Sequence, residues 1–363
     1  MTGRHVAQLT AATICAATFA AFAADFADPI ATPARLTERA LGAPVFALAE
    51  SAGVTLGVGP RGHILRSTDT GRSWQQVPSP VSSDLVAVAF AGPRAAWAVG
   101  HDGVMLHSTD AGASWHKRLD GHGLGKLMVA HYEKLAAAQP GEAVQRALDE
   151  ARKAAGGGAA LSLLTVWFRD EREGFAAGQF NLLLHTSDGG ASWQPWLERT
   201  DNPDTYSLHA IAGDASQVWI AGELGLVLRL VRGGAGAADR FERIASPYKG
   251  SWFGLDVSQS SVLLYGLRGN AWRSDDGGAH WRRLDTGTDQ AINGGLLRPD
   301  GGVALLTGRG LLLLGSRDGA LARQPRGADA PAAGYALLPL GPRRLALGTR
   351  EGVRALELAT PAP

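Results

Sequence analysis

The 363-residue chain carries 35 Lys and Arg against 34 Asp and Glu, and one cysteine, Cys15. Loss of an N-terminal export segment would remove Arg4 and Cys15, leaving a formally neutral chain without thiols; disulfide and thiolate chemistry are then excluded, and the neutral charge argues against a bulk electrostatic grip on nucleic acid or anionic membrane. The 48 glycines are about twice the usual share of ~7%, which points to a protein built from many tight turns.

Residues 1–23 read as the export segment: Arg4 and His5, an almost uncharged Ala-rich run from Val6, and Ala21-Phe22-Ala23 as a small-x-small cleavage site, with cleavage expected after Ala23. A lipid anchor at Cys15 is the weaker alternative, because Ile14 is a poor residue before a lipidated cysteine. No other stretch is long and apolar enough to cross a bilayer, so the mature chain, 24–363, is expected in the periplasm or secreted, without direct membrane insertion.

From residue 45 onward two phrases recur. The first is an apolar strand ending in a glycine turn: TLGVGPRG, AWAVGHDG, GFAAGQFN, VWIAGELG, VLLYGLRG, ALLTGRG and LALGTREG. Their last residues, Gly62, Gly103, Asn181, Gly225, Gly269, Gly310 and Gly352, are separated by 41, 78, 44, 44, 41 and 42 residues. The second is STDTGRSW, STDAGASW, TSDGGASW and SDDGGAHW, each with an Asp five residues before a Trp and a Gly two after the Asp: Asp69 and Trp74, Asp110 and Trp115, Asp188 and Trp193, Asp276 and Trp281. A short carboxylate accepts from backbone N–H groups of its own turn, Gly supplies a conformation other residues resist, and Trp opens the next strand with a large buried face. This is the Asp-box, or BNR, hairpin, and the expected role of these eight residues is structural.

The doubled step falls where the period-2 apolar pattern gives way to LGKLMVAHYEKLAAAQPGEAVQRALDEARKAAGGG, which predicts a hairpin of two helices at Leu124–Ala138 and Glu142–Ala155 within an insertion at 122–158, between the second and third repeats. Without it, seven repeats of 41–44 residues remain, each with room for four short strands. The fold class is therefore all-β, a seven-bladed β-propeller with Asp-box repeats and an inserted helical hairpin. The seventh repeat stops after Val353–Leu358, and the expectation is that residues 30–39 supply its missing outer strand and remove an exposed edge.

The segments LVAVAFAGPRAAWAVGHDGVMLHSTDAGASW (Leu85–Trp115) and LTVWFRDEREGFAAGQFNLLLHTSDGGASW (Leu164–Trp193) resemble the repeating unit of the Ycf48/HCF136-like proteins, seven-bladed propellers first known as photosystem II assembly and stability factors. DNPDTYSLHAIAG from Asp201, AGELGLVLRL from Ala221, SPYKGSWFGL from Ser246 and YGLRGNAWRSDDGG from Tyr265 resemble the bacterial branch of that family. The resemblance covers Val45–Leu358 and implies a non-catalytic assembly or stability role at a membrane complex of the cell envelope, for which an RND-type exporter is one expectation. The helical insertion departs from the plant and cyanobacterial pattern, so their particular partner does not carry over.

Asp-box propellers also include sialidases and other glycosidases, which need paired carboxylates around one pocket and, in sialidases, an arginine cluster. Here most carboxylates lie in turns and the Arg-Ile-Pro phrase of sialidases is absent, so no catalytic residue is assigned; a carbohydrate-binding or glycosidase-like propeller remains the alternative. The ten His residues are scattered, with no His-Glu-x-x-His helix, Cys/His cluster or Gly-x-Ser-x-Gly elbow, so neither a metal nor a cofactor is expected. Trp97 and Trp219 read as packing between blades, whereas Trp196 and Trp252 fall in longer connections and are open to a binding role. A third reading, a structural subunit of a larger envelope assembly, would call for an exposed apolar stripe on the hairpin at Leu127, Tyr132 and Leu135.

In a four-stranded blade the turn between the second and third strands emerges on the same face as the connection to the next blade. All seven glycine turns should ring one face, carrying Arg61, then His101 and Asp102, Phe180 and Asn181, Glu223, Arg268, Arg309 and Arg350. Blades five, six, seven and one are neighbours in a closed ring, so four arginines form a basic arc. The expected partner is a protein segment, acidic or ending in a carboxylate, held by the bidentate geometry of Arg.

Overall fold

Short apolar runs separated by turn residues satisfy their backbone groups as antiparallel hairpins, each strand pairing with the next. The computed structural model describes residues 27–158, 160–234, 237–318, 320–324 and 333–358; the expected export segment, with Cys15 and Ala23, lies outside them. The strands form seven antiparallel sheets, six of four strands and one of three, each using strands consecutive in sequence. The blades occupy residues 47–77, 85–119, 163–195, 208–243, 252–283, 292–323 and 334–357. The first strand of each blade packs against the first strands of its neighbours, and Gly334–Pro339 of blade 7 returns to Ala47–Ser51 of blade 1. First strands thus line a central channel, and the chain is a seven-bladed propeller.

Strand composition follows from this geometry. Second strands such as Ala96–Gly100, Gly174–Gly178 and Val218–Gly222 are buried at every residue, because a neighbouring blade covers each face. First strands keep one side toward the channel and are only partly buried. The core is divided among the seams between blades. At the seam of blades 2 and 3, Trp97 meets Trp193 edge-on with ring centroids 5.5 Å apart and stacks near Phe168.

The insertion forms two helices, α1 (Gly121–Ala138) and α2 (Glu142–Gly156). Asp120 caps α1 by accepting from the Gly123 N–H, which starts that helix before its predicted first residue, Leu124. The hairpin shares the core of blades 2 and 3 through Leu124, Met128, Tyr132, Leu148 and Ala151. Tyr132 is fully buried, and Leu127 and Leu135 pack against the same cluster, so the stripe sought for a larger assembly is covered by the chain itself.

Residues 30–39 do not form the strand expected of them, and among the described residues blade 7 has three strands. The segment runs along the outer edge of blade 1: the Ala34 N–H donates to Ser79 O, the Thr37 N–H to Gln76 Oε1, and Gln76 Nε2 to Arg35 O. A 3-10 helix, Glu38–Gly42, then packs between the outer strand of blade 1 and the last strand of blade 7, and the Val45 N–H donates to Thr349 O. Closure is by packing across the seam. The segment lacks alternating polarity, so it offers no strand face to bury, and its carbonyls and amides find partners on blade 1 instead.

Candidate functional site: the glycine-turn face

Two kinds of turn define the two faces. On the Asp-box face, Ser108 Oγ donates to Asp110 Oδ1 and accepts from the buried Gly112 N–H, both at 2.8 Å, while the Asp110 carboxylate accepts from the Ser114 N–H at 2.9 Å and Oγ at 2.7 Å. Ser67, Thr186 and Ser274 repeat the role of Ser108. The second residue after each Asp is wedged against the preceding blade: Gly190 lies at φ 81°, where a Cβ would stand 2.1 Å from Trp97 Cζ2. Trp115 and Trp193 are buried, and Trp74 and Trp281 pack partly buried into seams. The buried acceptor is the Ser or Thr two residues before each Asp, a member of the box to which the sequence gives no signal beyond recurrence.

We therefore expect Ser108→Ala to cost about 1–3 kcal/mol, since it strands the buried Gly112 N–H, and Asp110→Ala to cost less, about 1 kcal/mol, because the Ser114 N–H it abandons is exposed to water. Thermal or denaturant unfolding of the two variants checks the order. The four carboxyls share a pH signature. Hydrogen bonds from the Ser192 hydroxyl and N–H hold Asp188 at about 2, and the N–H and ring of His280 hold Asp276 at about 2. At Asp110 burial opposes the charge, yet the Ser114 hydroxyl and N–H still bring it to about 2. Ser73 holds Asp69 below the usual carboxylate range. A depressed native pKa contributes stability that is present above the unfolded value, ~3.9, and lost as pH falls toward the native one. Melting temperature should fall between about pH 4 and pH 2, less steeply when the four Asp are changed to Asn.

The glycine turns lie on the opposite face. Gly62 shows why the last residue is Gly: at φ 71° a Cβ would stand 2.0 Å from Val81 O of the connection to blade 2. Blade 3 uses Asn181 there at φ 61°, and its amide donates to Leu197 O and accepts from Thr200 Oγ1 and Asn202 Nδ2, fixing the connection that follows. The residue before this one forms the tip in a left-handed conformation: Arg61, Asp102, Phe180, Leu224 and Arg268 at φ 55°, 58°, 53°, 48° and 56°. Arg309 and Arg350 sit in plain turns.

The structure places the expected partner residues unequally. Arg61, Arg268, Arg309 and Arg350 are exposed in blades 1, 5, 6 and 7, which adjoin around the ring, and among the described residues Arg61, Arg268 and Arg350 have no ion-pair partner. Phe180 is exposed at its tip. His101 is exposed one residue before its tip, Asp102, whose carboxylate accepts from Ser83 Oγ. Glu223 also precedes its tip, and its carboxylate accepts from the Ser207 N–H at 2.9 Å; the projecting side chain of blade 4 is Leu224. Counting back one residue from Gly225 would have found it. Trp196 and Trp252, open to a binding role in sequence, are buried: Trp196 packs on Phe175 and under the Arg199 guanidinium, and Trp252 is fully enclosed.

Six of the seven first strands carry a bulged residue toward this face: Val86, Leu164, His209, Phe253, Asn293 and Tyr335 stand at the register shifts, with Phe46, just before the unshifted first strand of blade 1, edge-on to Tyr335 at 5.4 Å. Among the first strands only Glu50 and Asp256 are carboxylates. Glu50 accepts from the Gly53 N–H; Asp256, whose pKa burial raises, accepts from Leu297 and Val257 N–H groups. α1 touches the glycine turn of blade 2 and α2 touches the Leu197–Arg199 turn, so the hairpin flanks the face beside blades 2 and 3. No helix among the described residues is long and apolar enough to cross a membrane.

Fold and repeats together define an Asp-box propeller whose glycine turns present a basic arc. The sequence profile of the family described as "Photosynthesis system II assembly factor YCF48" matches residues 45–126 and 158–245, leaving out most of the helical hairpin. A photosystem II assembly lipoprotein Ycf48 from Synechococcus sp. (strain CC9902) is 27% identical over 129 residues, which span 36% of this chain and 38% of that protein. Two solved structures, "YCF48 bound to D1 peptide" and "YCF48 from Cyanidioschyzon merolae", superpose with TM-scores of 0.62 and 0.61 at 16% and 17% identity, each over 90% of this chain and 96% and 99% of theirs. The chain is a Ycf48-like BNR propeller.

Proposed function

We propose that the chain is a non-catalytic propeller that serves the assembly or stability of a membrane complex of the cell envelope, an RND-type exporter being the complex we favour, by capturing a protein segment on its glycine-turn face. The segment is acidic or ends in a carboxylate. One observation carries this reading: four exposed arginines at corresponding turns of four adjacent blades, three of them without an ion-pair partner among the described residues. Guanidinium groups unmatched by acids are free to form charge-assisted forks with a carboxylate. The similar propeller described as bound to a D1 peptide supports a protein segment as ligand. The two carboxylates of the first strands, Glu50 and Asp256, each accept from backbone N–H groups, which favours this reading over a glycosidase-like one.

Changing Arg268, Arg309 and Arg350 together to Ala should leave the fold intact and weaken capture of envelope proteins by the immobilised mature chain at least tenfold, since each charged hydrogen bond contributes roughly 1.5–3 kcal/mol before entropy losses. The control changes Arg72, Arg94 and Arg172, exposed on the Asp-box face. Equal capture by the two triple variants would reduce the arc to a solvated rim.

A further inference from the structure

The glycine-turn face is divided. Blades 5, 6, 7 and 1 present arginines, but blades 3 to 5 present large apolar side chains: Phe180 is 58% exposed, Leu224 61%, Phe253 38% and Leu267 36%. These are four of the seven large hydrophobic side chains exposed among the described residues. Phe180 and Leu224 stand at tips with φ 53° and 48°, a conformation that bulky residues avoid and that Gly or Asn adopts at little cost. Neither burial nor backbone preference accounts for them. Beside Phe180, a cleft of about 320 Å³ opens between the hairpin and the turn of blade 3, lined by Met128, Ala154, Leu161, Leu182 and Leu197. Apolar and concave, it suits an anchoring side chain.

We infer that the captured segment is amphipathic, with apolar side chains a few residues upstream of its acidic or carboxyl end, and that Phe180, Leu224, Leu267 and Phe253 receive them. This rests on the reading that the face captures a protein segment, and it adds the composition and polarity of that segment. Charge complementarity selects the occupant. Leu267 and Arg268 are consecutive residues of one turn, so the apolar sector passes directly into the basic arc. A chain lying across the mouth meets apolar contacts over blades 3 to 5 and guanidinium groups over blades 5 to 1. An apolar partner without negative charge would leave Arg61, Arg268 and Arg350 without a carboxylate, and a purely acidic one would leave the apolar sector wet.

The test selects peptides from a library of random decapeptides with free carboxyl ends on the full mature chain, and measures selected peptides by fluorescence anisotropy. Selected sequences should be enriched in Leu, Phe, Met or Trp upstream of the end, and their amidated forms should bind at least tenfold more weakly. The Phe180→Ser and Leu224→Ser double variant, altered only at exposed tips, should weaken binding at least tenfold with its melting temperature preserved. Peptides whose apolar residues are replaced by Ser should bind both proteins equally weakly. That peptide-side arm keeps the test valid should the variant be unstable. Carboxyl-dependent binding without apolar enrichment, or with equal affinity for the double variant, overturns the inference and leaves the capture function standing. Binding indifferent to both amidation and the arginine triple variant overturns that function as well. A concentration-dependent dimer abolished by the double variant would assign the apolar sector to a second copy, and overturns the inference too.

Discussion

Gly190→Ala is expected to lower stability by roughly 2–5 kcal/mol, a large loss for a single methyl group. Two costs combine. At φ 81° an L-residue pays about 1–2 kcal/mol, and the added Cβ would lie 2.1 Å from Trp97 Cζ2 and 2.5 Å from Cη2. Trp97 cannot retreat: it is fully buried, stacked on His107 at 4.1 Å and packed against Phe168 and Trp193, so overpacking adds about 1–3 kcal/mol. Gly277 separates the two costs, since it has φ 65° and nothing within 4 Å of its added Cβ. Its corresponding residues in blades 1 and 2 are already Thr70 and Ala111 at φ 59° and 56°, so the fold accepts side chains at that step of the box. Gly277→Ala should cost only the conformational part. Denaturant unfolding of both variants checks the difference; equal losses would mean that the seam of blades 2 and 3 yields to an extra methyl.

Tyr132→Ala should cost roughly 3–5 kcal/mol and loosen the helical hairpin, whereas Tyr132→Phe should cost about 1–3 kcal/mol. The ring is fully buried, and the hydroxyl donates to Glu198 Oε2 and accepts from the Leu197 N–H, both at 2.8 Å. Burial first, and the Glu198 charge second, push the phenol well above its ordinary pKa, so it remains a donor at any working pH. Phe keeps the packing but leaves the buried Leu197 N–H without its acceptor. Ala also opens a cavity under α1 and frees the connection 197–206, which Asn181 and Asn202 otherwise hold through their amides. Tryptic cleavage within 121–158 should accelerate strongly for Ala and modestly for Phe. Unchanged cleavage in both would mean that other contacts suffice to dock the hairpin.

Much of the architecture was legible because it repeats. The spacing from Gly62 to Gly352 gave seven units once one step was set aside, and loss of period-2 polarity between blades 2 and 3 located both helices within a few residues of their ends. The glycines at 121, 123 and 125 hid the first turn of α1, since helix propensity argues against them and only the Asp120 cap shows the start. The face was legible as a ring of turns but not in its detail. Glu223 and Leu224 are adjacent in sequence; one carboxylate ties down the Ser207 N–H while the neighbouring side chain projects, and that difference is set by a left-handed φ.

By itself the sequence determined the fold class, the blade count, the Asp-box turns and the side of the ring on which four arginines meet, because each follows from local periodicity and turn chemistry copied from repeat to repeat. Only the tertiary structure decided how the ring closes, which tryptophans are enclosed, and where apolar side chains are left exposed beside the arc. Residues 30–42 pair with blade 1 and wedge against blade 7, and Trp196 and Trp252 vanish into seams, through contacts between residues far apart in the chain. Such contacts carry no period, and burial is settled by what a neighbouring blade covers, which no local pattern encodes.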